Sequence, residues 1–395
     1  MNLYNFKRIM KRKICIVTST RAEWGLLSGI AKELNKRNDV TLQIIATNMH
    51  LSEKFGNTWQ EIERDGLKID RKVPMFQETD TPKGTITAMN DCMSGMAQAF
   101  EELRPDLLLI LGDRYEMLTV AATALIYRIP VAHMHGGEVT QGAFDESIRH
   151  SITKMSHLHL TSTEEARNRV IQLGENPDHV FNTGSIGVYN INHCDLIPRE
   201  ELEENLGTTI PEESIFVTFH PSTLDEISPA EQCKNLLKAL ELQPEIKVLF
   251  SYPNNDPSGQ IIIDLIEEFV AQHPERSVVF PSLGARRYLS VLRCVAAVVG
   301  NSSSGILEVP SMHIPTLNIG IRQKGRQRAT SVIDCGVSLE EISAGLSQVL
   351  SQEERNKARN IQNPYEQPDT LNKIVEIVAT FPLDKIIHNP FNDIK

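Results

Sequence analysis

Short apolar runs recur along the chain, and several of them end in small, polar or charged residues. In the first half, Leu107–Leu111 leads into Gly112-Asp113-Arg114, and in the second half Ala296–Val299 leads into Gly300–Gly305. Parallel strands that are buried on both faces read as continuous apolar runs, and ligands bind beyond their carboxyl ends. The pattern therefore predicts two crevices that face one another across a polar cleft, which is typical of an enzyme.

The apolar runs alternate with stretches of helical spacing, as in βαβ units. Predicted strands lie near residues 13–18, 42–47, 106–112, 130–135, 158–163 and 180–184, and then near 214–219, 246–252, 277–281, 296–300 and 314–319. Helical spacing covers 26–37, 88–103 and 116–127 in the first half. We predict two doubly wound α/β domains, residues 1–190 and 191–365, with a charged linker near 190–213. Residues 366–395 are predicted to form a helix and tail that pack back on the first domain.

Composition narrows the class of protein. A chain of 395 residues is too long for one hydrophobic core, and no apolar run approaches the ~18 residues of a membrane span. A formal net charge of −11 argues against non-specific binding of nucleic acid. The 6 cysteines are scattered without a C-x-x-C pair, which fits a reducing cytoplasm.

Several cofactor motifs are missing from the sequence. There is no G-x-x-x-x-G-K-[ST] loop, and no G-x-G-x-x-G follows the first predicted strand, so P-loop phosphate binding and a nicotinamide dinucleotide are both disfavoured. Two H-x-H triplets, His133/His135 and His157/His159, would each place two imidazoles on one strand face. Neither has an obvious carboxylate ligand nearby in sequence. We predict no cofactor and no metal.

The sharpest phosphate-binding signal is Gly300–Gly305, which follows a predicted strand and precedes the apolar start of a helix. Backbone N–H groups, the hydroxyls of Ser302 and Ser303 and the helix dipole would favour an anion there, although a plain serine cap is the alternative. Glu308 would lie about one turn into that helix, where its carboxylate could accept bonds from a ribose diol. Arg21, His220 and Arg322 follow predicted strands. We expect each arginine to contact a phosphate and His220 to contact a diphosphate oxygen or leaving group.

Acidic residues cluster after the strands of the first half. The candidates for acid–base chemistry are Asp113, Glu138, Asp145 and Glu146. A carboxyl group where a buried strand opens to solvent can have its pKa raised, which suits proton transfer near neutrality. The glycines before Glu138 would let backbone approach a ligand closely. Helical spacing predicts pairs between Asp145 and Arg149 and between Glu146 and His150, so the alternative is helix capping with exposed ion pairs.

Together these motifs resemble the hydrolysing UDP-N-acetylglucosamine 2-epimerases of sialic-acid synthesis, from Lys13 to Asp334. The resembling stretches are Thr18–Glu23, Gly112–Glu116, His135–Thr140, Asp145–Lys154, His220-Pro221, Gly300–Gly305 and Asn318–Gln323. The resemblance implies a GT-B-like fold of two Rossmann-type domains facing a central cleft, with UDP held mainly by the second. It also implies no redox cofactor and a homodimer or homotetramer.

The resemblance further implies a reaction and a set of roles. UDP leaves by anti elimination through 2-acetamidoglucal, and addition of water then gives free N-acetylmannosamine. The implied nucleotide contacts are Arg21, Arg114, His220, Asn254, Ser303, Glu308 and Arg322, and the implied catalytic carboxylates are Asp113 and Asp145.

Related enzymes often carry a catalytic glutamate just before the two glycines, where this chain has His135. The role of that glutamate could be filled here by Glu138, by Glu146 or by His135 itself. The loop is also one residue longer than in some relatives, which leaves open whether Asp145 or Glu146 is the matching carboxylate.

The leading hypothesis is a cytoplasmic enzyme that converts UDP-N-acetylglucosamine and water into N-acetylmannosamine and UDP. The same reaction on a UDP-2,4-diacetamido-2,4,6-trideoxyhexose, as in legionaminic-acid routes, is a rival hypothesis that the motifs do not separate. A non-hydrolysing epimerase, a GT-B glycosyltransferase and a nucleotide-sugar sensor without turnover also stay open. The number of carboxylates beside the first crevice speaks against the transferase, because glycosyl transfer needs one base rather than several.

Overall fold

The computed structural model of the protein describes residues 11–53, 56–75, 81–139, 145–222, 227–253 and 259–394. The chain forms two compact units. The first unit combines the chain up to Val139, the segment that ends at Tyr189 and the chain from Gln367 onward, while the second runs from Asn190 to Glu366. None of the helices in the described ranges has the length and apolar character needed to span a bilayer.

The first unit contains a sheet of 7 parallel strands in the order β3-β2-β1-β4-β5-β6-β7. Its strands are β1 (Arg12–Thr18), β2 (Val40–Thr47), β3 (Arg71–Val73), β4 (Leu107–Leu111), β5 (Val131–Met134), β6 (Leu158–Thr161) and β7 (Val180–Asn182). The strand order reverses between β1 and β4, and such a switch point is where doubly wound sheets bind ligands.

The second unit contains a sheet of 6 parallel strands in the order β10-β9-β8-β11-β12-β13. Its strands are β8 (Ile215–Thr218), β9 (Val248–Ser251), β10 (Ser277–Phe280), β11 (Ala297–Gly300), β12 (Thr316–Ile319) and β13 (Val332–Cys335). The order reverses between β8 and β11. Both sheets are therefore doubly wound, as the alternation of apolar runs and helices predicts.

Helices connect the strands. Those up to residue 192 are α1 (Arg21–Lys36), α2 (Trp59–Arg64), α3 (Pro82–Leu103), α4 (Tyr115–Ile126), α5 (Asp145–Met155), α6 (Glu164–Gln172) and α7 (Ile186–Asn192). The later helices are α8 (Arg199–Leu206), α9 (Pro229–Glu241), α10 (Gly259–Gln272), α11 (Gly284–Leu292), α12 (Ser304–Leu307), α13 (Leu339–Val349), α14 (Gln352–Ala358) and α15 (Thr370–Thr380).

Both faces of each sheet are covered, which explains why the strands read as continuous apolar runs. In β4, Leu107, Leu109 and Leu111 pack into one buried cluster, while Leu108 and Ile110 pack into the cluster on the opposite face. Helix α15 belongs to the first of these clusters, where its apolar side chains pack with residues of α1 and β1. The carboxyl ends of the strands are the places where polar side chains follow a buried core.

The structure also contains elements that the pattern does not predict. The edge strands β3 and β13 are short and partly polar, so they lack the continuous apolar run of a central strand. Helix α8 lies within the predicted linker and buries Leu202. Helix α1 begins at Arg21 rather than at residue 26, because Thr20 caps it by accepting a hydrogen bond from the backbone N–H of Glu23 at 3.2 Å.

Candidate functional site

Asp113 lies in the loop after β4, where it pairs with a buried arginine from α5. Nη2 of Arg149 donates to Oδ2 of Asp113, and Nη1 donates to the carbonyl oxygen of Glu138 at 2.6 Å. The Arg149 residue is only 3% exposed. Helical spacing predicts that Arg149 meets Asp145, but the structure pairs it with Asp113, so one guanidinium joins α5 to the loops after β4 and β5.

The two acidic residues that open α5 differ in their surroundings. Burial raises the pKa of Asp145, and the negative charge of Asp113 raises it further. Glu146 lies on the same turn with Oε1 3.9 Å from Nε2 of His150, as the helical spacing predicts. Asp145, one of the two candidates for the second carboxylate, is therefore coupled electrostatically to Asp113.

Glu138 is held by two neighbouring side chains. Its Oε1 accepts a hydrogen bond from Oγ of Ser162 at 2.7 Å and lies 3.1 Å from Nδ1 of His135. Just before it, Gly137 has φ +77°, and a Cβ there would lie 2.3 Å from the carbonyl oxygen of Ala166 in α6. Packing against α6 therefore requires glycine at this position.

The H-x-H triplets are held by protein groups. His133 is fully buried, its Nε2 lies 2.7 Å from the carbonyl oxygen of Gly112, and burial lowers its pKa to about 3. Nε2 of His159 lies 3.2 Å from Oε2 of Glu175, and burial also lowers the pKa of His157 to about 4. Within the described residues, no group of three or more His, Cys, Asp or Glu side chains is arranged to hold a metal ion.

The two arginines predicted as nucleotide contacts of the first unit have different environments. Arg21 opens α1 with a side chain that is 73% exposed, and its Nε lies 3.1 Å from Oε1 of Glu61. Arg114 donates from Nε to Oε1 of the fully buried Glu116 at 2.5 Å. Arg21 therefore forms a solvent-exposed surface pair, whereas the guanidinium of Arg114 is held in place by a buried carboxylate.

Glu23 and Glu116 are buried acidic residues that motif reasoning did not single out. Oε2 of Glu23 accepts hydrogen bonds from the backbone N–H and the hydroxyl of Ser19, at 2.6 and 2.8 Å. Burial raises the pKa of Glu23 to about 7, and the charge of Glu116 adds to the effect. The sequence feature that could have pointed to Glu23 is the pattern Thr20-Arg21-Ala22-Glu23. This pattern matches a capping box and places an acid in the first turn of α1.

In the second unit, the loops after β8 and β11 are joined through Asn301. Oδ1 of Asn301 accepts from the backbone N–H of His220 at 2.7 Å, and its Nδ2 donates to the carbonyl oxygen of His220 at 2.9 Å. Gly300 has φ +137°, and a Cβ there would lie 1.9 Å from the carbonyl oxygen of Thr218. Only glycine permits this close approach, which brings Asn301 to the His220 loop.

The loop after β12 also contacts Asn301. Nη1 of Arg322 and Nε2 of Gln323 donate to the carbonyl oxygen of Asn301 at 3.1 and 3.0 Å. The structure therefore brings the predicted residues His220 and Arg322 together through a third residue that motif reasoning missed. The sequence feature that could have pointed to Asn301 is its position directly after the glycine that ends a buried strand. Asn254, predicted as a further nucleotide contact, lies outside the described residues.

The segment after Gly300 differs from the predicted helix start. Helix α12 spans only Ser304–Leu307 and is followed by a 3₁₀ helix from Val309, so it lacks the length that gives a strong dipole. The side chains of Ser302 and Ser303 lie in the turn that precedes it. Oε2 of Glu308 accepts from Oγ of Ser304 at 2.5 Å, and burial raises the pKa of Glu308.

The chain is similar to known proteins along most of its length. The sequence profile described as UDP-N-acetylglucosamine 2-epimerase matches residues 32–379. A Campylobacter jejuni protein named GDP/UDP-N,N'-diacetylbacillosamine 2-epimerase (hydrolyzing) is 40% identical over 97% of this chain and 100% of its own length. The Escherichia coli polysialic acid biosynthesis protein P7 is 38% identical over 94% of both chains.

Two further comparisons extend the likeness. A Legionella pneumophila protein named UDP-N,N'-diacetylbacillosamine 2-epimerase (hydrolyzing) is 33% identical over 97% of this chain and 100% of its own length. The crystal structure of Neisseria meningitidis UDP-GlcNAc 2-epimerase bound to UDP-GlcNAc superposes with a TM-score of 0.73 at 18% identity, over 92% of this chain and 98% of that one. That match shows the GT-B-like fold of two parallel-sheet units. The profile and the relatives together show that the chain belongs to the UDP-N-acetylglucosamine 2-epimerase family.

Proposed function

We propose that the protein is a hydrolysing 2-epimerase that converts a UDP-linked 2-acetamido sugar and water into UDP and the free C2-epimeric sugar. The observation that supports this most is the arrangement of acid–base groups at the carboxyl edge of the first sheet. Asp113 and Asp145 lie close enough for the charge of one to raise the pKa of the other. A carboxyl group with a raised pKa beside a second carboxylate suits a reaction that removes a proton from one carbon and later returns one.

The first half of the proposed reaction is an elimination. A base takes the hydrogen from C2 of the sugar, the C–H electron pair becomes the C1–C2 double bond, and the C1–O bond to UDP breaks with its electrons on the phosphate oxygen. Asp113 is the proposed base. Its pairing with Arg149 fixes the orientation of the carboxylate, which proton abstraction from a weakly acidic C–H requires.

The second half is addition of water to the double bond. C2 receives a proton from Asp145, whose raised pKa favours the protonated form, and the oxygen of water bonds to C1. Glu138 and Glu146 are the other carboxylates proposed to support these transfers. The product sugar carries the new hydrogen at C2 in the epimeric position and a hydroxyl group at C1.

The nucleotide is proposed to bind at the carboxyl edge of the second sheet. His220 would donate to a diphosphate oxygen and stabilise UDP as it leaves, and Arg322 would contact a phosphate. The loops that carry these two residues are both held by hydrogen bonds to Asn301. The other proposed substrate contacts are Arg21, Arg114, Asn254, Ser302, Ser303 and Glu308. A preorganised edge of this kind stabilises negative charge that develops on the leaving group without first having to reorganise.

Two substrates are candidates. UDP-N,N'-diacetylbacillosamine is favoured by the names of the Campylobacter and Legionella relatives, each of which aligns along its whole length. UDP-N-acetylglucosamine is favoured by the family description and by the ligand of the Neisseria structure. The two sugars differ in the groups at C4 and C6, which lie away from the C1–C2 bond that reacts.

A panel of nucleotide sugars tests the proposal. The purified protein is incubated with UDP-N-acetylglucosamine, UDP-N,N'-diacetylbacillosamine and GDP-N,N'-diacetylbacillosamine, and release of nucleoside diphosphate and free sugar is followed by chromatography. We expect equimolar UDP and free C2-epimer from one of the UDP sugars, with kcat/KM at least about tenfold above the others. Release of UDP only when an acceptor alcohol is added, with a glycoside as product, would instead establish the glycosyltransferase.

The place and assembly of the enzyme are part of the proposal. All 6 cysteines are free thiols, and Cys15, Cys92 and Cys233 are buried, as fits a protein of the reducing cytoplasm. A homodimer or homotetramer is proposed from the family resemblance. Light scattering of the purified full chain measures that assembly directly.

A further inference from the structure

His135 has a backbone conformation that is uncommon for residues other than glycine. It follows β5 directly, its backbone N–H donates to the carbonyl oxygen of Leu160 at 3.0 Å, and its φ is +63°. A non-glycine residue in the left-handed region is strained, and such residues concentrate at functional sites. The packing of Gly137 on α6 fixes the chain just after the strained residue. The fold therefore holds the His135 side chain at the carboxyl edge of the first sheet.

The imidazole of His135 is oriented by a carboxylate. Its Nδ1 lies 3.1 Å from Oε1 of Glu138, and the same oxygen accepts a hydrogen bond from Oγ of Ser162 at 2.7 Å. The backbone carbonyl of Glu138 is in turn held by the buried Arg149. A carboxylate acceptor on Nδ1 fixes the tautomer with hydrogen on Nδ1, which leaves a lone pair on Nε2.

That lone pair is the unexplained feature. Nε2 of His135 is buried and has no hydrogen-bond partner among the described residues. His133, two residues earlier, is different because its two ring nitrogens lie 2.7 Å from the carbonyl oxygen of Gly112 and 3.4 Å from Oγ1 of Thr153. Buried polar atoms in native proteins are nearly always hydrogen-bonded, and a bound water or a ligand usually supplies a missing partner.

The proposed hydration step requires a proton acceptor for the attacking water. Proton removal at C2 and proton return at C2 account for Asp113 and Asp145. The water that adds to C1 must also lose a proton, and a base has to accept it. An imidazole that is oriented by a carboxylate is suited to this step, because the carboxylate stabilises the imidazolium that forms.

We propose that His135 is a catalytic residue that binds the attacking water through Nε2 and takes its proton in the hydration step; this rests on the proposed function. One O–H bond of water breaks, the oxygen forms the bond to C1, and the electrons of the C1–C2 double bond bind the proton that Asp145 gives to C2. The water proton moves to Nε2, and Glu138 pairs with the resulting imidazolium. Ser162 positions Glu138 for this pairing.

The test separates elimination from hydration. His135→Asn removes the basic nitrogen with a residue that tolerates a positive φ, and His135→Gln is a second non-basic variant. With the substrate found for the wild type, we expect UDP release in the first turnover within about threefold of wild type, while formation of free sugar falls at least about 100-fold. The unsaturated sugar should therefore accumulate in these variants and be detected by its vinylic proton in NMR.

A matched control comes from the same chain. His179 also has a buried ring nitrogen without a hydrogen-bond partner among the described residues, but it precedes β7 at the opposite edge of the sheet. The variant His179→Asn is expected to catalyse hydration of the unsaturated sugar at the wild-type rate. Thermal melting of every variant checks folding, and if both His135 variants unfold, Glu138→Gln tests the same step by removing the carboxylate that orients the ring.

The outcomes are distinct. Parallel loss of UDP release and of free sugar, with no unsaturated intermediate, would place His135 in the elimination and overturn the assignment. Wild-type hydration in both His135 variants would overturn it as well. A wild-type protein that releases no UDP from any sugar of the panel contradicts the proposed function itself, and that result is read from the wild type before any variant is compared.

Discussion

The carboxyl edges of the two sheets are built from the same strand–loop–helix units, but they carry different chemistry. In the first unit, Arg149 of α5 pairs with Asp113 in the loop after β4, and Arg114 pairs with Glu116 at the start of α4. In the second unit the loops are joined through the neutral side chain of Asn301 and its backbone carbonyl. At the first edge, carboxylates pair with arginines, whereas at the second edge an asparagine amide and backbone groups hold the loops.

This difference indicates a division of labour. Closely spaced titratable groups shift one another's pKa values, as Asp113 does for Asp145, and such shifts support acid–base catalysis. A loop fixed by an amide keeps its shape over a wide pH range and suits binding of a diphosphate. Substitutions at the first edge should therefore reduce turnover, and substitutions at the second edge should reduce nucleotide affinity as well.

The largest effect is expected for Asp113→Asn. An amide cannot accept the C2 proton and no longer neutralises the buried Arg149, so kcat should fall about 1,000-fold or more. The Kd for UDP, measured by calorimetry, should change less than about threefold. Asp106→Asn at the amino end of β4 is the matched control, since this residue accepts from the backbone N–H of Lys13 at 2.8 Å. Equal losses of turnover and UDP affinity in Asp113→Asn would remove the proposed distinction between the edges.

His220→Ala should weaken both binding and turnover. The backbone of His220 is held on both sides by Asn301, so the loop stays in place and the change reports the loss of the imidazole alone. We expect the Kd for UDP to rise about tenfold, as for loss of one charge-assisted hydrogen bond, with a larger decrease in kcat. Calorimetry and steady-state kinetics on the same preparation measure the two effects. An unchanged Kd contradicts the assignment of His220 to the diphosphate.

Glu116→Gln should have a smaller effect. The amide oxygen can still accept from Nε of Arg114, but the charge that holds this guanidinium is lost. Because the Arg114 side chain is 39% exposed, solvent screens the pair and we expect kcat/KM to fall only about 3- to 10-fold. Steady-state kinetics measure the change, and Glu101→Gln on α3, whose Oε1 accepts from the Tyr127 hydroxyl, is a control. A decrease as large as that of Asp113→Asn would mean that Glu116 itself takes part in proton transfer.

Glu23→Gln should alter the pH dependence of stability more strongly than it alters activity. The pKa of Glu23 is raised to about 7 from 4.5, so its contribution to stability is present below pH 4.5 and is lost as pH rises through 7. Glutamine cannot titrate. The free energy of unfolding of Glu23→Gln relative to wild type should therefore increase by about 3 kcal/mol between pH 4 and pH 8. Denaturant unfolding at both values measures this, and a difference that does not vary with pH is inconsistent with a buried proton on Glu23.

Much of the fold can be predicted from the pattern of apolar runs. Central strands such as β4 are buried on both faces, so their sequences leave little choice of side chain. Short edge strands such as β3 are half solvated and carry no such signature. The extent of α12 has a local cause that the sequence contains: Pro310 follows shortly and cannot continue a helical hydrogen-bond pattern.

The sequence predicts which residues belong to the candidate site better than it predicts the contacts between them. Asp113 and His220 are marked by their place after buried strands, which follows from topology alone. The pairing of Asp113 with Arg149 joins residues 36 positions apart, and His135, which has a left-handed φ, lies two residues before a glycine that packs against α6. Such contacts are set by how helices lie on the sheet, so periodicity does not specify them.

The most direct test of the account follows hydrogen at C2. The wild-type protein converts its UDP sugar in deuterated water, and the free sugar is examined by proton NMR and mass spectrometry. We predict complete loss of the C2 proton signal, one deuterium per product molecule and inverted configuration at C2, together with one equivalent of UDP. A free sugar that keeps its original hydrogen at C2 would show simple hydrolysis, and it would contradict the claim that acid–base groups of the first edge remove and return this proton.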